Sequence, residues 1–165
     1  MALQSALAQV GFGKQASKGS AAANPTFAIG LLDGAVLTAD VSQELEERTS
    51  SVRHATDVNR MSVVPGTDWT CRAHSKSVGA ILYGALGTVN STGAGPYTHT
   101  FTPGDDLPYW TMFGKQSGSI YAVNDSKIDE LSISWSEAEP LEISASSIGT
   151  TINYSGATFT PTTDD

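Results

Sequence analysis

Apolar and polar residues alternate along most of this chain. From Leu37 to Glu46 the stretch "LTADVSQELE" sets Leu37, Ala39, Val41 and Leu45 on one face and Thr38, Asp40, Ser42, Glu44 and Glu46 on the other. Helix formers in "SQELEER" compete, but the apolar positions fit a period of two better, which predicts a strand. In "DWTCRAH" (68–74) Trp69, Cys71 and Ala73 oppose Thr70, Arg72 and His74. In "SIYAVNDSKIDELSISWSE" (119–137) Leu131, Ile133 and Trp135 oppose Glu130, Ser132 and Ser134. In "PLEISASSIGTTINY" (140–154) Leu141, Ile143 and Ala145 oppose Glu142, Ser144 and Ser146. "TFAIGL" (26–31), turned by Asp33-Gly34, "YTHTFTP" (97–103) and "YWTMFGKQ" (109–116) complete the predicted strands.

One segment breaks the alternation. Ser77 is placed to cap a helix over 77–86, whose Val78, Ile81, Leu82, Ala85 and Leu86 form one apolar stripe ending at Gly87. The expected architecture is mainly β: a sandwich or barrel of two packed antiparallel sheets with that one flanking helix, which closes an otherwise open end or face. Residues 48–62, "RTSSVRHATDVNRMS", have no core pattern and read as a long exposed loop or the tip of an extended hairpin. "TVNSTGAGP" (88–96) reads as flexible. Residues 1–25 show no sustained period and read as an N-terminal assembly arm, 26–154 as the sandwich domain, and 155–165 as a tail or the start of a linker.

Charge changes the picture more than composition does. The net charge is −8, yet residues 1–76 hold seven Lys/Arg against seven Asp/Glu while 77–165 hold two against ten. The second half thus carries the whole excess. Such a chain displaces few counterions from a phosphate backbone, so gripping nucleic acid is disfavoured, whereas lying beside it without sticking is not. A single cysteine, Cys71, excludes an intrachain disulfide and a thiol metal cluster, and reads as a small buried hydrophobe. The N-terminus has no basic region before its apolar residues and no apolar run approaches a bilayer span, which reads as a soluble protein made and kept in a cytoplasm.

Catalytic and ligand motifs are scarce. His54, His74 and His99 lie in different segments without acidic or thiol residues at ligand spacing, and His99, between Thr98 and Thr100, reads as a loop anchor rather than a catalyst. No Gly-x-Ser-x-Gly elbow occurs. "GFGKQASKGS" imitates a phosphate loop, but Gln15 follows Gly13-Lys14 and Ala8 stands where the first glycine belongs. The carboxylates Glu44, Glu46, Glu47, Asp105, Asp106, Glu130, Glu137, Glu139 and Glu142 read as solvated faces, "PGDDLP" being only half a calcium loop. No cofactor is expected.

Five segments in order carry a resemblance: "VGFGKQASKGSAAA", the strand with "ELEE", "LYGALG", "PYTHTFTPGDDLPYWTMF" and "DELSISWSEAEPLEISASSIG". Together they resemble the major tail tube proteins of long, non-contractile-tailed bacteriophages, over nearly the whole chain. The resemblance implies a β-sandwich with flanking helix, long hairpin and N-terminal arm. It also implies a structural, non-enzymatic virion protein, whose subunits form hexameric rings stacked into a tube that conducts the genome. Implied partners are further copies of itself, other tail proteins such as the tape measure and tail terminator, and double-stranded DNA that passes unbound. No membrane binding is implied, and assembly takes place in the host cytoplasm.

Two site expectations accompany that reading. The polar strand faces bearing Asp40, Glu44, Glu46, Glu130, Ser132, Glu142 and Ser144 are candidates to line a lumen. Phe12, Lys14, Gln15, Lys18, Arg48, Arg53 and Arg60 are candidates for contacts between subunits. A different reading is a sandwich that binds carbohydrate or a host surface through an aromatic platform of Trp69, Tyr109 and Trp110.

Overall fold

A computed structural model describes residues 9–32, 38–46, 57–116, 119–154 and 157–164. Its strands are β1 (Gln9–Lys14), β2 (Phe27–Gly30), β3 (Thr38–Glu46), β4 (Asp57–Arg72), β5 (Gly87–Thr92), β6 (Thr98–Pro103), β7 (Trp110–Gln116), β8 (Ser119–Ser134), β9 (Glu142–Ile148), β10 (Thr151–Asn153) and β11 (Thr163–Asp164). Helix α1 (Val78–Leu86) joins β4 to β5. The mainly β expectation holds: the main strand path runs β11-β2-β1-β7-β8-β9-β4-β3, and β5 with β6 forms a separate hairpin.

The path folds into two layers because β8 belongs to both. Its first half pairs with β7 and β10, its second half with β9. Between them the register shifts at Ile128/Glu130, and Asp125 takes a positive φ of 54°. Such a bulge bends a strand and lets it cross from one sheet to the next. All pairings in both layers are antiparallel except that of β11 with β2.

Alternation on both layers fills the space between them. Val10, Phe12, Phe27, Ile29, Trp110, Met112 and Val123 come from one sheet; Trp69, Cys71, Ile128, Ile143 and Ala145 come from the other. Phe12 sits at the centre, stacked on Phe27 at 4.7 Å and meeting Trp69 and Trp110 edge-on at 5.3 and 6.3 Å. Edge-to-face contacts of this kind add about 0.5–1.5 kcal/mol beyond area burial. Trp69, Phe12 and Trp110 thus anchor the interior, which corrects two sequence expectations. Phe12 is 1% exposed and cannot reach another subunit, and Trp69 and Trp110, 2% and 4% exposed, form no platform for a sugar.

The expected arm is therefore partly core. β1 lies between β2 and β7, with Phe12 opposite Phe27 and Met112. Its other face carries Gly11 and Gly13, where Pro25, Ala22 and Phe159 approach so closely that an added Cβ at either position would lie within 2.7 Å of one of them. These glycines stand in a stretch without a sustained period, and in the fold they admit a second covering layer. That layer includes part of the C-terminal stretch read as a tail or the start of a linker: Thr160 donates to Asn24 Oδ1 at 3.0 Å, Thr158 bonds Asn24 and the Ala23 carbonyl, and β11 pairs with β2.

Asp125 ties this layer to the bend of β8. In the amide orientation that satisfies its neighbours, buried Gln15 donates to Asp125 Oδ1 at 2.8 Å and accepts from the Asp125 N–H at 3.0 Å and the Thr111 hydroxyl at 2.9 Å. The Gly19 N–H also donates to Oδ1 at 2.7 Å, and Thr150 Oγ1 donates to Oδ2 at 3.0 Å. Gln15 is thus a buried tether rather than a surface contact between subunits.

Helix α1 forms where expected but is rotated. Ile81 and Gly84 are its buried positions, whereas Leu82 stays half-buried. Gly84 decides this: a Cβ there would meet Ile128 Cδ1 at 2.8 Å and the Trp110 indole at 3.1 Å, so the glycine lets the helix lie directly on β8 and Trp110. Ser77 occupies the N-cap position without capping through its side chain, its hydroxyl turning to the His74 carbonyl at 3.4 Å. Gly87 closes the helix in the left-handed region at φ 92°. The stretch read as flexible after it begins with a strand, β5, paired residue for residue with β6. Residues 57–62 of the stretch read as a loop or hairpin tip belong to β4 and pair with β3, and residues 48–56 lie outside the described residues. The Asp33-Gly34 turn lies outside the described residues.

Two outcomes follow from this packing. Ile81→Asp loses about 3–5 kcal/mol in urea unfolding, as an unpaired buried charge does, while Leu82→Asp loses about 1 kcal/mol. Asp125→Ala removes charge-assisted hydrogen bonds and loses about 1.5–3 kcal/mol in the same measurement.

Candidate functional site

The outward face of β8, β9 and β4 is built by register. Glu130, Ser146 and Asp68 form one row across the three strands, Ser132, Ser144 and Thr70 the next, and Ser134, Glu142 and Arg72 the third. The intervening residues take the opposite face: Leu131, Ala145 and Trp69, then Ile143 and Cys71, pack on the core, while Ile133, at the far end of β8, shares their face but stays 40% exposed. Period-two alternation makes one face aliphatic and forces the other to be polar. Thr70 Oγ1 and Ser144 Oγ share a hydrogen bond of 2.9 Å across the middle row. Asp68, Glu130 and Ser132 are exposed around a shallow depression of about 260 Å³.

This arrangement brings Glu130, Ser132, Glu142 and Ser144 together but sets the other lumen candidates apart. Asp40 stands opposite Val64, Glu44 opposite Asn59 and Glu46 opposite Asp57, in the part of the β3–β4 hairpin beyond Gly66, where β4 leaves β9. Along β4 the Asp40 row lies ~13 Å from the Glu130 row, and the Glu46 row ~36 Å from it. The face also has cations at its ends: Arg72 opposite Glu142, and Lys127 opposite Ile148.

A second surface gathers residues that no sequence pattern links. Lys14, Lys18 and Lys127 line an open cleft of about 530 Å³ with Tyr83, Tyr109 and Asp106. Lys14 Nζ lies 4.7 Å from the Tyr83 ring centre and Lys127 Nζ 4.4 Å from that of Tyr109, positions that cation–π attraction favours. In sequence, Lys14 and Lys18 stand in the false phosphate loop and among the candidate contacts between subunits, and nothing there points to Lys127. Of the remaining candidates, Arg60 stands opposite Gln43 in the hairpin, and Arg48 and Arg53 lie outside the described residues.

His99 has a structural partner. It faces Ser91 across the β5–β6 hairpin, with Nδ1 2.7 Å from Ser91 Oγ, and stacks against Tyr97 at 6.4 Å. His74 follows β4, its carbonyl accepting from the N–H groups of Ser77 and Val78. His54 lies outside the described residues. Among the described residues no three His, Cys, Asp or Glu side chains are grouped to hold a metal ion, and no helix is long and apolar enough to cross a membrane.

No family profile and no curated protein sequence matches this chain. Among solved structures, a chain of the six-fold symmetrised cryo-EM structure of the anti-feeding prophage baseplate aligns over 89% of this chain and 91% of its own, at 12% identity and a TM-score of 0.49. The crystal structure of Hcp protein aligns over 87% and 89%, at 9% identity and a TM-score of 0.38. These are likenesses over most of both chains, at scores too low to transfer a role.

Proposed function

We propose that this chain is a structural tail tube protein whose copies form hexameric rings, stacked into a conduit for double-stranded DNA in a virion tail. The observation that carries the reading is the Ser/Thr/carboxylate face of β8, β9 and β4, with Asp68, Glu130 and Glu142 on a rigid sheet and its cations confined to the ends. A conduit wall must not hold what passes. Each lysine or arginine contacting a phosphate releases counterions and adds a binding term, so a cationic wall would add friction at every ring. Carboxylates and hydroxyls supply no such counterion term, and the carboxylates repel phosphate weakly. The order of the sequence segments resembling tail tube proteins supports the same assignment. In this account neighbouring rings contact one another and, at the tube ends, tape measure and terminator proteins.

Electron microscopy of the purified protein tests the reading, with short duplex DNA co-sedimented at low salt. Wild-type protein is expected to form tubes that leave the DNA in solution. The pair Glu130→Lys with Glu142→Lys is expected to form tubes that retain DNA, and to release it as salt rises. The second change places a lysine opposite Arg72, a cross-strand repulsion of up to about 1 kcal/mol. Wild-type protein that remains monomeric overturns assembly; charge-reversed tubes without DNA retention remove this face from the channel.

A further inference from the structure

An acidic turn and a basic cleft lie at opposite ends of the second half of β8. The turn follows Ser134 and carries Trp135, 76% exposed, with Glu137 and Glu139 beside it, both exposed, and Ala138 held at φ 67°. The cleft gathers Lys14, Lys18 and Lys127, three of the chain's nine Lys/Arg, against one carboxylate, Asp106. Its walls are Tyr83 and Tyr109, each already engaged by a lysine.

We infer that the turn around Trp135 of one copy docks in the lysine–tyrosine cleft of a second copy of this chain. The two surfaces match in charge and in kind. One offers two exposed carboxylates and an exposed indole; the other offers three ammonium groups and two phenol rings, and indole, phenol and ammonium attract one another by stacking and cation–π contact. They cannot meet within one chain. Lys127 begins the half-strand that Trp135 follows, and eight residues of strand separate the two by ~26 Å. A patch that fits a different patch of an identical molecule makes a head-to-tail contact, which closes into rings or continues as a stack. An exposed tryptophan within a charged rim has the character of an interface anchor. The inference rests on the self-assembly proposed above and names the surfaces that perform it.

A charge exchange tests it. Wild-type assembly is established first by sedimentation and electron microscopy, and its absence would overturn the tube reading and this contact together. One variant carries Lys14→Glu with Lys127→Glu, so that turn and cleft are both acidic; the other carries Glu137→Lys with Glu139→Lys, so that both are basic. Each alone is expected to remain folded, with a single cooperative melt, and to lose assembly at least tenfold in critical concentration. Mixed in equal amounts they are expected to assemble again, because each turn then meets an oppositely charged cleft. Glu137→Gln with Glu139→Gln, a milder change on an exposed turn, is expected to weaken assembly and reduce its salt dependence, which keeps the test open if a reversed variant does not fold. Assembly of either reversed variant alone, or failure of the folded pair to assemble on mixing while the wild type does, overturns the contact and leaves the tube reading standing.

Discussion

The bend in β8 is the constraint on which the rest depends. One sixteen-residue strand serves two sheets, and only because it turns at Asp125 and slips register at Ile128/Glu130 do the aromatic faces of β1, β2 and β7 come to lie over those of β4 and β9. A backbone with positive φ at a residue other than glycine is costly unless its surroundings fix it. Here they do. The Asp125 carboxylate takes hydrogen bonds from Gln15, Gly19 and Thr150, which ties the loop after β1 and the corner between β9 and β10 to the same point.

That geometry sets which surface the molecule offers. Ile128 and Leu131 of β8 and Ile143 and Ala145 of β9 are used in the core, so their Ser, Thr and carboxylate neighbours must face outward, in rows shared with β4. The bend also separates the charges. Lys127 stands at the corner, where it joins Lys14 and Lys18, and the strand then carries its carboxylates away toward Trp135 and the acidic turn. A face without cations in its middle, with the lysine cleft at one end of the strand and the turn bearing Glu137 and Glu139 at the other, is the consequence of one strand's course.

Much of this fold is legible in strand alternation alone. Each of the segments at 37–46, 68–74, 97–103, 109–116 and 119–137 contains or overlaps a strand, and the placing of Glu130 with Ser132 on one face follows from period two. The expectations that fail have a common cause: a residue's burial depends on what covers it. Gly11 and Gly13 read as part of an assembly arm because the pattern shows no side chain there, yet Pro25, Ala22 and Phe159 of the same chain supply the cover. Leu82 reads as buried as Ile81, but Gly84 turns the helix onto Trp110. The lysine cleft is illegible in sequence for the same reason, since Lys14 and Lys127 meet only through tertiary packing. The hairpin carboxylates, Asp40, Glu44 and Glu46, share a period with Glu130 but not its position along the sheet.

The most direct test of the account is an image reconstruction of the assembled tube in which individual strands are resolved. The account places β4, β8 and β9 nearest the axis, with Glu130, Ser132 and Ser144 facing an open channel. A map in which that face is covered by a neighbouring subunit, or in which α1 or the β5–β6 hairpin lies nearest the axis, would contradict it.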